Sequence, residues 1–223
     1  MNAAQLFVTA LIVGFSGAMM PGPLLTLNIE ESMRRGALTG PMLVFGHALL
    51  ELTLIVAILF GFGRILGLGA VKGAIGLAGG VVLLWMACGM LREAKGSLSL
   101  DGQERTERRG MPPVMAGAVI SFANPYWSVW WATVGLTYLT RARELAFYGV
   151  GLFFMGHILA DLTWYSAVSF AVARGRKLFS DRVYRGIIFV CGLFLIYVGL
   201  WFIDSAFGFL GLRQPSSFIR LMF

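Results

Sequence analysis

Six long apolar runs, separated by short polar segments, follow one another along the chain. They cover residues 5–29, 42–66, 71–91, 113–139, 146–173 and 186–209. Each is close to the roughly 20 apolar residues that a helix needs to cross the hydrocarbon core. Apolar and polar residues do not alternate within the runs, so the pattern favours helices over the strands of a barrel. The sequence therefore predicts an all-α integral membrane protein with six transmembrane helices.

One polar segment is much longer than the others and divides the runs into two sets of three. We predict a first three-helix repeat over residues 1–91, a cytoplasmic linker over 92–110 and a second three-helix repeat over 111–223. Twelve of the 18 Lys and Arg residues lie in this linker and in the connections after the first and fifth runs. The positive-inside rule puts these segments in the cytoplasm and both termini outside.

Composition supports the membrane assignment and narrows the class of protein. The chain is 58% hydrophobic and only 13% charged, and its net charge of +7 comes from the short connections. The basic residues are thus topology signals, and no nucleic-acid partner is expected. The first run lacks the positively charged start of a signal peptide, since the first basic residue is Arg34, so it is predicted to be an uncleaved helix.

Both histidines of the chain occur in two copies of one short motif. The copies read GHALLEL at 46–52 and GHILADL at 156–162, an offset of 110 residues. Histidine and carboxylate are four residues apart in each copy and so share a helix face. With three spans in each half, the second copy inserts upside down relative to the first. The sequence therefore predicts a 3+3 inverted repeat, a plan common among secondary transporters.

The paired motifs are candidates for proton coupling. Ionisable groups inside a membrane are functional candidates by default, and the four here are His47, Glu51, His157 and Asp161. Burial disfavours the charged form of a carboxylate, and histidine titrates near physiological pH. Two other interpretations stay open. The same four residues are alternative ligands for a divalent metal ion, and hydrogen bonds between the pairs could simply hold the two halves together.

Proline breaks are predicted in the first and fourth runs. PGP at 21–23 and NP at 124–125 interrupt the helical ladder, because proline lacks an N–H and clashes with the preceding turn. Breaks at corresponding places in two inverted halves indicate a binding site at the membrane midplane. The predicted substrate-binding residues are Pro21, Gly22, Pro23, Ser121, Asn124, Pro125, Tyr126 and Trp127.

Four aromatic residues follow the second break and receive two interpretations. Tyr126 and Trp127 adjoin the break, where an aromatic face could hold a substrate cation. Trp130 and Trp131 are instead predicted to belong to an aromatic belt at the membrane interface.

Several of these elements together resemble the LysE/RhtB family of bacterial amino-acid exporters. They are PGP at 21–23, RRG at 34–36, the glycine-rich third run and NP at 124–125, and the resemblance covers essentially the whole chain. It implies an inner-membrane exporter that works without ATP hydrolysis and moves amino acids or related small solutes outward against an inward cation. Tyr126 stands where the family's usual NPK motif has lysine.

The leading prediction is therefore a proton-coupled secondary exporter of amino acids or similar small solutes. The alternative is a divalent-cation exporter. An intramembrane enzyme is less favoured, because the chain has neither an H-E-x-x-H motif nor a P-loop. Cys88 and Cys191 also do not occupy corresponding positions in the two halves, as the cysteine pair of a membrane thiol:disulfide carrier would.

No cofactor is expected. The expected partners are a small solute, a proton and the lipid bilayer; the glycine-rich third and sixth runs could pack within the chain or form the face of a homodimer.

Overall fold

The computed structural model describes residues 1–95, 111–175 and 181–212, and these residues form helices and no strands. Residues 96–110 of the predicted linker and residues 176–180 lie outside the described ranges. The α-helices are α1 (Ala3–Ala18), α2 (Pro23–Arg35), α3 (Thr39–Ala57), α4 (Gly63–Leu66), α5 (Gly69–Lys95), α6 (Pro113–Ala123), α7 (Pro125–Trp130), α8 (Leu136–Ala142), α9 (Ala146–Arg174) and α10 (Asp181–Phe209). A kink at Ile58–Phe62, where Gly61 has a φ of 107°, joins α3 to α4, and a π-helical turn at Trp131–Gly135 joins α7 to α8.

Both predicted helix breaks are present, and in each case a proline begins the second piece. α1 and α2 are bent by 77° relative to each other, and Gly22 and Pro23 are the N-cap and first residue of α2. α6 ends before Asn124, whose side-chain oxygen accepts a hydrogen bond of 3.1 Å from the backbone N–H of Tyr126. Proline suits the first position of a helix, where its missing N–H has no partner to lose. The two motifs are therefore start signals for α2 and α7.

The described residues contain four helical segments long and apolar enough to cross a membrane, or five if the bent α1–α2 pair is one span. One of these segments, Pro125–Arg174, has 50 residues and folds back on itself. Ala146 has a φ of 53°, and the rings of Trp131 and Phe153 are 6.3 Å apart. A continuous helix would separate these two residues by about 33 Å. The stretch therefore consists of two antiparallel segments, and the count of six spans stays a prediction.

Each predicted half packs mainly against the other half. α1 packs on α9, α3 on α6 and α5 on α10, while α3 and α9 also contact each other. Close backbone approach at the two motif glycines makes this packing tight. A Cβ atom at Gly46 would lie 1.7 Å from the carbonyl oxygen of Val114, and one at Gly156 would lie 2.7 Å from that of Phe7. The glycine of each motif thus seats its helix against α6 or α1.

The glycine-rich third and sixth runs pack against each other within the chain. A Cβ atom at Gly80 of α5 would lie 2.7 Å from the carbonyl oxygen of Gly199 of α10. Small residues let two helix backbones approach closely in a membrane. The small-residue faces of α5 and α10 are therefore used inside the subunit, and the homodimer stays a prediction.

Candidate functional site

The two motifs meet at the centre of the molecule. α3 carries His47 and Glu51, α9 carries His157 and Asp161, and all four side chains are buried. One ligand atom from each residue can be chosen so that all four atoms lie within 4.8 Å of one another. We call these four residues the central cluster. The offset of the two motifs predicted corresponding positions, and the structure brings the side chains into direct contact.

Glu51 is the most strongly held member of the central cluster. Its Oε1 accepts hydrogen bonds from the indole N–H groups of Trp127 (3.1 Å) and Trp131 (2.8 Å). Nε2 of His47 lies 3.1 Å from Oε1, and Nε2 of His157 lies 3.1 Å from Oε2. Four nitrogen-bearing rings thus surround one carboxylate that is 1% exposed. Buried charges persist when they are paired and hydrogen-bonded in this way.

Asp161 has a different environment, although it occupies the same place in its motif. Its Oδ2 lies 3.6 Å from Nε2 of His157 and 3.8 Å from Nε2 of His47, both beyond hydrogen-bond distance. Among the described residues, this buried oxygen has no hydrogen-bond partner. It lies in the wall of a cavity. Oε2 of Glu51 also lacks a hydrogen-bond partner among the described residues, and Glu51 lines the same cavity. The two carboxylates differ because Glu51 accepts two indole hydrogen bonds through Oε1, so Asp161 is the less strongly held of the two.

The outer ring nitrogens of the two histidines also differ. Nδ1 of His47 lies 2.7 Å from Oγ of Ser121 on α6. Nδ1 of His157 has no partner in the described parts of the chain and faces Gly14 of α1, where a Cβ atom would be 3.1 Å away. The ring of Trp130 stacks on His157 with centroids 4.7 Å apart. His47 is thus oriented by a hydroxyl group and His157 by an aromatic face.

A narrow cavity of about 60 Å³ lies against the central cluster and both helix breaks. We call it the cluster cavity. This is room for a few water molecules, so an amino acid would require it to widen. Six of the eight predicted substrate-binding residues line it: Pro21, Gly22, Ser121, Asn124, Tyr126 and Trp127. The other two lie elsewhere, since Pro23 borders a groove against α5 and Pro125 packs on Gly79. A binding role for these residues stays a prediction.

The prediction that Trp130 and Trp131 belong to an interfacial belt is wrong. They are 6% and 1% exposed, Trp131 holds Glu51, and Trp130 lies between the cluster and α1. Residues four apart share a helix face, and Trp127 and Trp131 have this spacing directly after the second break. This spacing, which is also the spacing of the histidine–carboxylate pairs, was the sequence signal that the two indoles face the same side as each other.

One further contact at the site has no sequence signal. Asn28 of α2 is fully buried, and its side-chain amide donates a 3.0 Å hydrogen bond to the carbonyl oxygen of Tyr165. Tyr165 lies one turn after Asp161 on α9 and lines the cluster cavity. The half-helix that follows the first break is thereby tied to the helix that carries the second motif.

These features define a class of protein: a multi-pass helical membrane protein with buried ionisable groups beside broken helices, as in transporters. The family model described as LysE type translocator matches residues 15–205. The chain belongs to this family, and it is a membrane transporter.

Two curated relatives are similar over nearly the whole chain. "Chemotactic transduction protein ChpE" of Pseudomonas aeruginosa is 27% identical over 202 residues, which are 86% of this chain and 94% of that protein. "Putative amino acid efflux protein YcgF" of Bacillus subtilis is 21% identical over 217 residues, which are 94% of this chain and 98% of that protein. No solved structure is a significant match.

Proposed function

We propose that this protein exports amino acids or related small solutes across the bacterial inner membrane, and that the central cluster couples export to proton entry. The observation that carries the proposal is the meeting of four buried ionisable side chains, two from each motif, in a cavity that both helix breaks border. Family membership supports transport, and the printed name of the B. subtilis relative supports amino acids as cargo.

We further propose six spans arranged as a 3+3 inverted repeat, with residues 1–91 and 111–223 as the repeats. Counting α1–α2 as one span and dividing Pro125–Arg174 at its fold-back brings the number to six. In the proposed repeat, α1 corresponds to α6, α3 to α9 and α5 to α10. The contact of α1 with α9 then corresponds to the contact of α6 with α3, and the α5–α10 and α3–α9 contacts each correspond to themselves. This packing is what a two-fold relation between the halves requires. The distribution of Lys and Arg favours termini outside and the linker in the cytoplasm.

In this proposal the two ends of an amino acid meet different groups at the breaks. Oδ2 of Asp161, which accepts no hydrogen bond from the parts of the chain that the structure describes, would bind the ammonium group. The amino-terminal end of α2, a helix of 13 residues, borders the same cavity at Gly22 and Leu24 and has the positive end of its dipole there. A carboxylate is stabilised at such a position. The cavity must widen to admit the solute. α2 borders the cavity next to the first break, so a movement of α2 would widen it.

The coupling proton would be exchanged at Asp161 and the two histidines. Glu51 lies within 3.1 Å of both imidazoles, so a proton on either ring is stabilised by a carboxylate. Asp161 lies within 3.8 Å of the same two nitrogens and faces the cavity. A cationic solute and a proton would then compete for one carboxylate. Such competition is sufficient for exchange of one for the other.

A divalent metal ion is a second candidate cargo. Two imidazole nitrogens and two carboxylate oxygens within 4.8 Å form a donor set that suits first-row transition metals. Stoichiometric binding of Zn²⁺ or Mn²⁺ to the purified protein, lost in His47→Ala, would favour this function. Solute transport that persists after both histidines are replaced would indicate that the pairs only hold the halves together.

Transport in proteoliposomes tests the proton-coupled proposal. With a pH gradient imposed, uptake of a radiolabelled amino acid by inside-out protein should fall at least about 100-fold in Asp161→Asn, because the exchanging carboxylate is gone. Glu51→Gln should also abolish gradient-driven uptake, since the imidazoles lose the charge that stabilises their protonated forms. The readout is initial uptake rate with and without the gradient.

The matched control is Glu144→Gln, which neutralises an exposed carboxylate between α8 and α9. It should leave both rates unchanged. Gradient-driven uptake at the normal rate in both cluster variants would rule out proton coupling through these carboxylates.

A further inference from the structure

A second, larger cavity adjoins the cluster cavity. Its volume is about 330 Å³, against about 60 Å³ for the cluster cavity. Five of its eleven lining residues are aromatic, and none of the described residues that line it is charged. The aromatic ones are Tyr126, Trp130, Phe194, Tyr197 and Trp201. We call this cavity the aromatic chamber. Its volume lies in the range of pockets that bind small organic molecules, about 300–1,000 Å³.

The aromatic chamber and the cluster cavity share part of their walls. The shared residues are Met20, Tyr126, Trp130, Phe194 and Val198. Trp130 links this shared wall to the central cluster: its ring stacks on His157 at 4.7 Å, and its buried indole N–H has no partner among the described residues. One solute could therefore contact both spaces, with a polar end at the cluster and an apolar end in the chamber.

The two spaces have opposite chemical character. On the cluster side, Asp161 presents a carboxylate oxygen that has no hydrogen-bond partner among the described residues, and none of the described residues that line this cavity is a lysine or arginine. On the chamber side, apolar and aromatic surface is available, and aromatic rings attract other rings and cationic groups through their faces and edges. The indole N–H of Trp201 is, like that of Trp130, a hydrogen-bond donor of the chamber residues without a partner in the described parts of the chain.

We propose that the aromatic chamber binds the apolar side chain of the exported solute while Asp161 binds its ammonium group. The preferred solutes are then amines and amino acids with a large apolar or aromatic group, and small hydrophilic solutes are poor ones. This inference rests on the proposed function of solute export. A lipid chain is the competing occupant, because Tyr197 is 55% exposed at the side of the chamber.

Binding to the purified protein in detergent tests the inference without relying on transport. The probes are 2-phenylethylamine and ethylamine, which share a cationic group and differ in the ring. Isothermal titration calorimetry should show at least tenfold tighter binding of 2-phenylethylamine. Val134→Phe, which fills the chamber from its wall, should weaken 2-phenylethylamine binding at least tenfold. Val8→Phe is the matched control, because Val8 is 49% exposed on α1 and lines no part of the chamber.

A second pair of variants avoids added bulk, so that a folding defect in Val134→Phe does not decide the result. Tyr197→Ala removes an exposed part of the chamber wall and should weaken 2-phenylethylamine binding at least threefold. Tyr148→Ala removes a tyrosine that is 67% exposed and remote from the chamber, and should have no effect. Equal binding of the two amines, or full affinity in both chamber variants, would overturn the inference.

Two further outcomes separate this inference from the proposed function. Mass spectrometry that finds a phospholipid lost in Val134→Phe, with amine affinity unchanged, identifies a lipid site and overturns the inference. Amino-acid export in proteoliposomes by a protein that binds neither amine overturns the inference and leaves the proposed function standing. Chamber-dependent amine binding without transport of any amino acid supports the inference as a binding site and contradicts export.

Discussion

Glu51 and Asp161 stand at the same position of two copies of one motif, four residues after a buried histidine. Glu51 is surrounded by two indole N–H groups and two imidazoles at 2.8–3.1 Å. The nearest imidazole nitrogens are 3.6 and 3.8 Å from Asp161. Two copies of one motif can thus keep their residue types and still differ in environment. One carboxylate is held by two indole N–H groups, while Oδ2 of the other accepts no hydrogen bond from the described residues.

The largest difference between the halves is expected when the carboxylates are removed. Glu51→Ala leaves two indole N–H groups and two imidazoles without their acceptor, which should lower the free energy of unfolding by about 3–5 kcal/mol. Asp161→Ala removes a carboxylate whose Oδ2 accepts no hydrogen bond from the described residues and should cost clearly less than Glu51→Ala. Unfolding by sodium dodecyl sulfate in mixed micelles measures both values. Equal losses would contradict the difference between the two carboxylate environments.

The motif glycines should give a smaller difference in the same direction. Gly46→Ala forces a methyl group into the backbone of α6 at Val114 and should cost about 3 kcal/mol, at the upper end of overpacking effects. Gly156→Ala meets the backbone of α1 at a longer distance and should cost about 1–2 kcal/mol. The control is Gly151→Ala, where a Cβ atom meets nothing within 4 Å. Thermal stability of the three variants in one detergent ranks them, and a larger loss in Gly156→Ala would reverse the comparison.

The smallest effect is expected at the histidines' outer nitrogens. Ser121→Ala removes the only side-chain partner that the described residues provide for Nδ1 of His47, and should cost about 1 kcal/mol. Thr163→Ala is the control, because that exposed hydroxyl bonds only to its own helix at Leu159. Chemical shifts of ¹⁵N-labelled histidine should change for His47 and stay unchanged for His157. A change at both rings would mean that the two histidines respond as one unit.

Much of the site could be predicted because its chemistry is costly in a membrane. Two histidines and two carboxylates are unusual residues in apolar runs, and their shared spacing predicted that the two pairs form one site. The breaks were predictable for a similar reason, since proline and a capping residue have few positions in an apolar helix that satisfy the backbone. In both cases the local rule and the tertiary structure agree.

What could not be predicted depends on distances between helices. Glu51 and Asp161 differ by one methylene group, and nothing in the motif indicates which carboxylate lies beside the indoles of Trp127 and Trp131. Ser121 and Gly14 face the two histidines from different helices, and only the packing of α6 and α1 brings them there. The interfacial assignment of Trp130 and Trp131 failed because a tryptophan in an apolar run can belong either to the membrane interface or to the interior of the bundle. Burial, which distinguishes them, is a property of the assembled bundle.

The packing of each half on the other has a consequence for biosynthesis. His47 and Glu51 of α3 are synthesised well before the segments that contact them. Ser121 comes from α6, the two indoles from α7 and the π-helical turn after it, and His157 from α9. A nascent chain that stops after the linker would hold this histidine–carboxylate pair without the partners that the second half provides, a state that a bilayer disfavours. We therefore expect stable insertion of the first half to require synthesis of the chain through α9.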